Sequence, residues 1–114
     1  MKERRRVPRI DLMFFARVHD RRTGDLLGHL VNITPQGAMI LGEDPLKPGD
    51  MYEIRIELPD AYTEKNHLDF EARCSWCARD INPDYFGMGF QFKDVTPQDA
   101  ALIKRMIEDF GFRP

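Results

Sequence analysis

Leu68-Asp69-Phe70-Glu71-Ala72-Arg73-Cys74-Ser75-Trp76-Cys77-Ala78-Arg79 is the stretch on which the fold turns. Leu68, Phe70, Ala72, Cys74, Trp76 and Ala78 alternate with Asp69, Glu71, Arg73, Ser75, Cys77 and Arg79. Successive side chains of an extended chain point to opposite faces. Alternation sustained over this length predicts one long strand, buried on one face and wet on the other. On that parity Cys74 and Trp76 point inward with Phe70, and Cys77 points outward.

Before this stretch, Met51 to Leu58 repeats the pattern, with Tyr52, Ile54, Ile56 and Leu58 opposed to Glu53, Arg55 and Glu57. After it, the turn Asp80 to Asp84 leads to the apolar row Phe86, Met88, Phe90 and Phe92, with Gly87 and Gly89 between. Nearer the start, Leu12 to His19 and Leu26 to Ile33 flank a Gly- and Asp-bearing turn. Asn32-Ile33-Thr34-Pro35-Gln36-Gly37 then breaks the pattern before Ala38 to Leu41, and Gly42 to Asp50, with Pro45, Pro48 and Gly49, reads as loop. Strands with one polar and one apolar face imply an antiparallel sheet wetted on one side. Six of them in so short a chain must curl into a barrel or split into a small sandwich. The ending changes period. Thr96-Pro97-Gln98-Asp99 supplies a capping hydroxyl, a proline at the first helical position and a carboxylate in the first turn. Leu102, Ile103, Met106, Ile107 and Phe110 form one helical stripe, and Gly111 supplies the stop. That stripe must bury itself across one face or mouth of the barrel.

The 114 residues allow one domain, because two cores would each be too small to stand alone. It divides into a basic arm over residues 1–11, a barrel over 12–95 and a helix over 96–111. No window approaches the roughly 20 apolar residues of a membrane span. No signal peptide is read at the start, where Asp11 and Arg17 bound a short apolar stretch, so the cytoplasm is the expected compartment. Charge is unevenly spread. Lys2, Arg4, Arg5, Arg6 and Arg9 against Glu3 alone give the first nine residues +4, so with −2 over the whole chain the remainder carries −6. A duplex nucleic-acid binder spreads positive charge over a face, and an acidic body with a basic arm does not. It suits a small anion, or a contact made by the arm alone.

Two short constellations could carry chemistry. Arg4-Arg5-Arg6-Val7-Pro8-Arg9 can be a solvated terminus, as charge runs usually are. Asn32 to Gly37 can be an ordinary turn, with Asn and Thr bonding their own backbone and Gly allowing positive φ. It also gathers an amide, a hydroxyl and bare backbone at a strand end, groups able to hold a polar ligand edge.

Together the two are more specific. An RxxxR element from Arg5 to Arg9, followed by Asn32-x-Thr34-x-x-Gly37 in the pattern [D/N]xSxxG, resembles the PilZ domain. The lead-in Glu3-Arg4-Arg5-Arg6-Val7-Pro8-Arg9, the closing strand Gly87-Met88-Gly89-Phe90-Gln91-Phe92 and the helix after it extend the resemblance over essentially the whole chain. The resemblance implies a six-stranded antiparallel β-barrel of split-barrel type with a C-terminal α-helix. It implies a bacterial receptor for cyclic di-GMP, with no other cofactor. Arg5 and Arg9 would hold guanine and phosphate groups, Asn32 would meet a guanine edge, Thr34 would contribute its hydroxyl and Gly37 would keep the turn open. Arg4, just before the motif, would go with a stacked pair of ligands. Where the family usually has Ser this chain has Thr34, which keeps the hydroxyl but adds a methyl and stiffens χ1. Binding would pass its effect to an effector protein of motility, biofilm or secretion control. The alternative is a nucleotide-independent interaction adaptor of the same fold. A single-stranded nucleic-acid binder would instead need exposed aromatics and a basic face.

Other signals are weaker. Cys74-Ser75-Trp76-Cys77 is a CxxC, but zinc needs two further ligands, and His19, His29 and His67 lie at no ligand-like spacing. Redox CxxC motifs open a helix, and this one sits in a strand. No phosphate-binding Gly-Lys-Ser/Thr loop, nucleophile elbow or His-Glu metal helix occurs, so neither a catalytic nor a metal site is read.

Overall fold

Alternating side chains make strands that bury one face, and the computed structural model, which describes residues 16–58 and 66–110, rolls them into one closed sheet. The described residues form β1 (Arg17–Asp20), β2 (Leu26–Thr34), β3 (Gly37–Gly42), β4 (Met51–Glu57), β5 (His67–Arg79), β6 (Phe86–Lys93) and the helix α1 (Pro97–Phe110). Around the barrel the order is β1-β2-β3-β6-β5-β4. Every pairing is antiparallel, and β1 closes the ring by bonding both β2 and β4. The alternative of a small sandwich is thereby excluded. The first strand expected from Leu12 has its first four residues outside those described.

Inside lie Val18, Leu30, Ile40, Ile54, Ile56, Leu68 and Met88, all fully buried. Burying each such side chain contributes about 1.5–3 kcal/mol, so the inward rows fix the register. In β4, Ile54 and Ile56 are buried while Glu53, Arg55 and Glu57 lie on the wetter side, as the alternation predicts.

In β5 the predicted parity holds from Leu68 to Cys74 and then fails. Cys74 pairs with Phe90, but the next pair is Trp76 with Gly89, which leaves Ser75 as an extra residue. A β-bulge of this kind reverses the sense of alternation beyond it. Trp76 is therefore on the outer face and 36% exposed, not in the core with Phe70. Cys77, expected outward, is partly buried against the core.

The Asn32–Gly37 segment is also more regular than a broken turn. Asn32, Ile33 and Thr34 belong to β2, Gly37 begins β3, and only Pro35 and Gln36 turn the chain. Pairs run Thr34 with Gly37, Ile33 with Ala38 and Asn32 with Met39, after an irregularity at Val31. The helix begins where its cap was predicted. Thr96 Oγ1 accepts the Asp99 N–H at 3.1 Å, and the Thr96 carbonyl accepts Ala100 N–H at 2.9 Å. Ile103 and Met106 are fully buried in the barrel's core cluster, with Leu102 and Ile107 packed beside them, and α1 lies against β2. Gly111 lies outside the described residues. No described helix is long and apolar enough to cross a membrane.

Candidate functional site: a concavity beside the β2–β3 hairpin

The tight hairpin is held in place by its own polar groups. Thr34 Oγ1 accepts the Gln36 N–H at 3.2 Å, and the Gln36 carbonyl accepts Phe92 N–H at 2.9 Å, which ties the turn to β6. Gly37 owes its identity to close approach and not to a positive φ: a Cβ there would stand 2.1 Å from the Phe90 carbonyl oxygen. The same argument holds one strand pair away. A Cβ on Gly89 would fall 2.0 Å from Nε1 of Trp76, so the indole lies directly on the bare backbone of β6. Glycine inside a strand often marks such an approach.

These features enclose a concavity of about 310 Å³ on the barrel's outer face. Asn32, Thr34 and Gly37 line one side, and Ser75, Trp76 and Gln91 line the other. Ile33 pairs with Ala38 toward the core, so Asn32, paired with Met39, faces outward. It is nevertheless only 6% exposed, the one buried polar side chain among the described residues. Its Nδ2 is buried without a hydrogen-bond partner. A donor left unpaired away from water costs about 1–3 kcal/mol, and a ligand acceptor would recover it. The wall thus offers an aromatic face, an unsatisfied amide donor and further amides and hydroxyls from Gln36, Gln91, Thr34 and Ser75. That set suits a flat heteroaromatic ring with hydrogen-bonding edges.

Asn32, Thr34 and Gly37 are brought together as the sequence predicts. Trp76, Ser75, Gln91 and Gly89 were missed. The bulge hid Trp76, and only the glycines of β6 signalled that something large must lie on them. Arg4, Arg5 and Arg9 lie outside the described residues. The described chain begins at Ala16, whose carbonyl accepts the Leu30 N–H at 2.8 Å, two residues from Asn32. No charged residue among those described lines the concavity.

Elsewhere, Cys74 is buried, donates its thiol proton to the Trp76 carbonyl at 3.5 Å, and has its pKa pushed up by burial and by neighbouring Cys77. A raised pKa is the reverse of what a reactive thiolate needs. Among the described residues no cluster of three or more His, Cys, Asp or Glu side chains could hold a metal ion. Between β4 and the start of β5, Arg55 Nε and Nη2 grip Asp69 Oδ1 and Oδ2 at 2.8 and 3.0 Å, and Arg21 reaches Glu53 and Asp69 at 2.9 and 3.4 Å.

A closed six-stranded antiparallel barrel with a C-terminal helix and a polar concavity beside the β2–β3 hairpin defines a small β-barrel module. The PilZ domain family model matches residues 3–109, and the chain belongs to that family. No curated protein sequence matches the chain. Among solved structures it is similar to the PilZ domain of YcgR from Escherichia coli, determined with c-di-GMP. The TM-score is 0.67 at 18% identity, over 95% of this chain and 92% of that one. It is similar to the Bacillus subtilis inhibitor of motility MotI/DgrA, with a TM-score of 0.71 and 18% identity, over 95% of this chain and 52% of that one. The apo structure of MrkH from K. pneumonia gives 0.68 at 16% identity, covering 96% of this chain and 53% of that one. Identities this low establish the fold. The chain spans about half the length of the last two.

Proposed function

We propose that this protein is a bacterial cyclic di-GMP receptor that acts as an adaptor, not an enzyme. The observation that carries the reading is Asn32 Nδ2, a buried donor without a partner at the floor of a concavity walled by Trp76. Guanine supplies what is missing, because its O6 and N7 accept hydrogen bonds on one edge. Its face would stack on the indole, a contact worth about 1–3 kcal/mol per base. Thr34 would offer its hydroxyl, and Gly37 would keep the turn open while β3 passes close to Phe90 of β6. The phosphates need cations that the described wall does not carry. Arg5 and Arg9 would supply them from the arm, as bidentate or stacked guanidinium groups. Arg4 would serve a second, stacked ligand. The likeness to the YcgR domain, determined with c-di-GMP, supports the same assignment.

Ordering of the arm, once its charges are neutralised, would change the surface shown to an effector protein. The free thiols of Cys74 and Cys77 suit a reducing cytoplasm. Isothermal titration of cyclic di-GMP, with GTP and GMP as controls, tests the reading. Saturable binding near one or two ligands per chain, lost in Arg5→Ala/Arg9→Ala and weakened about tenfold or more in Trp76→Ala, is the expected result. Silence at about 100 μM ligand would reject it and leave the nucleotide-independent adaptor.

A further inference from the structure

We propose that the end of the barrel opposite the β2–β3 hairpin is the docking surface for a partner protein presenting apolar side chains among lysines and arginines. Leu26 opens β2, Gly42 closes β3 and Phe86 opens β6, so residues around them sit at the strand ends away from Pro35 and Gln36. Two observations meet there.

The first is a locked loop. Between β5 and β6, Asp80 N–H donates to the Tyr85 carbonyl at 2.9 Å and Tyr85 N–H to the Asn82 carbonyl at 3.0 Å. Asn82 N–H is taken by Asp80 Oδ2 at 3.2 Å, and Asp84 N–H by Asn82 Oδ1 at 3.1 Å. Arg79 Nη1 donates to the Pro83 carbonyl at 2.7 Å while its guanidinium stacks 4.9 Å from the Phe86 ring centroid. All this bonding holds out one side chain, Ile81, at 95% exposure. A single exposed apolar residue is ordinary. One carried on a loop whose neighbouring residues are tied by six local contacts sits on a preorganised backbone, which loses less entropy on binding than a loose loop.

The second is the groove beside it. Tyr85 of the same loop, 37% exposed, lines a concavity of about 290 Å³ with Leu26, Leu27 and Leu41. Leu26 is itself 51% exposed. Glu43 and Asp44 rim this groove, Asp25 lines the hollow that continues it past Leu46, and Asp84 stands in the loop. None of these four carboxylates has a cationic partner among the described residues, in contrast to Asp69 and Glu53 on the far wall. Arg17 lines the adjoining hollow with Leu41, Tyr85 and His29, and His29 also lines the groove. An apolar centre with an acidic rim is complementary to an apolar patch with a basic rim. As an output surface it rests on the receptor reading, but the contact is tested apart from it.

A random peptide library displayed on phage is selected on the immobilised protein, and the enriched peptides are synthesised and titrated by fluorescence anisotropy. The expected consensus joins Lys or Arg to Leu, Ile or Phe. Binding should weaken about tenfold or more in Ile81→Asp and in Asp44→Lys, and should fall as salt rises. Both positions are exposed, so the variants should keep the wild-type melting temperature. Cyclic di-GMP titration should be the same in Ile81→Asp as in wild type, so failure of one reading is visible apart from failure of the other. No enrichment, an acidic or uncharged consensus, or equal binding to Ile81→Asp would overturn the proposal. So would self-association abolished by Ile81→Asp, which would assign the surface to a second copy of the chain.

Discussion

Asn32 is where stability and the proposed function pull apart. Its buried Nδ2 is unpaired in the protein alone, a cost of about 1–3 kcal/mol when the group finds no partner. Asn32→Ala removes that cost along with a few packed atoms. We expect a midpoint in denaturant at or slightly above wild type, with cyclic di-GMP affinity down by about tenfold or more. Urea melts and titration on the same preparation check it; equal loss of both would mean Asn32 is structural. Gly89 makes the converse case. A side chain there must displace the Trp76 indole, since its Cβ would fall 2.0 Å from Nε1. Gly89→Ala should therefore shift tryptophan emission to the red and weaken ligand binding, as is expected of Trp76→Ala. Trp76 is the only tryptophan in the chain, so the emission reports it alone. The spacing Asn32-x-Thr34-x-x-Gly37 was legible in the sequence because a hairpin fixes its own neighbours locally. The indole was not, because its place depends on pairing across two strands.

At the scale of elements, one residue decides what β5 displays. Ser75 is the unpaired member of the bulge between Cys74–Phe90 and Trp76–Gly89. Deleting it leaves Cys74 inward and Trp76 outward in an unbroken ladder. Deleting Arg73 would instead turn every residue on one side of the gap to the wrong face. The Ser75 deletion should stay folded with a melting temperature near wild type, while the Arg73 deletion should lose cooperative unfolding by circular dichroism. Equal damage from both would mean that the bulge is not the source of the parity change. Alternation identified β5 as a strand but could not announce the bulge, because Ser-Trp-Cys-Ala continues the polar–apolar rhythm that the backbone has already broken. The helix was more legible, since its cap is a local bond. Thr96→Ala should cost about 1 kcal/mol in urea melts, the usual price of an N-cap hydroxyl, and leave ligand binding unchanged.

At the scale of the molecule, closure is what the sequence could not decide. Barrel and sandwich share the same alternation, and the difference lies in β1 bonding β4, strands far apart in the chain. That junction is where the ion pairs gather: His19 of β1 lies opposite Arg55 of β4, which lies opposite Asp69 of β5. The hydrogen bonds from Arg55 hold the Asp69 carboxyl below its ordinary pKa, with His67 and Arg21 adding to the effect. A carboxylate whose pKa is lowered by folding binds protons more readily in the unfolded chain. Its contribution is complete above the unfolded value of about 3.9 and disappears as pH falls through the lower folded value. Asp69→Asn should therefore be less stable than wild type at neutral pH, and the gap should narrow steadily in acid. Arg55→Leu should show the same convergence, because it removes the other half of the bond. Urea melts of the three proteins at about pH 7, 4 and 2.5, bracketing that range, decide the matter. A gap that is constant or widens in acid would show that the Arg55–Asp69 bond is not what secures the β4–β5 wall. Neither Arg55 nor Asp69 lines the concavity at Asn32 and Trp76, so at neutral pH both variants should bind cyclic di-GMP like wild type.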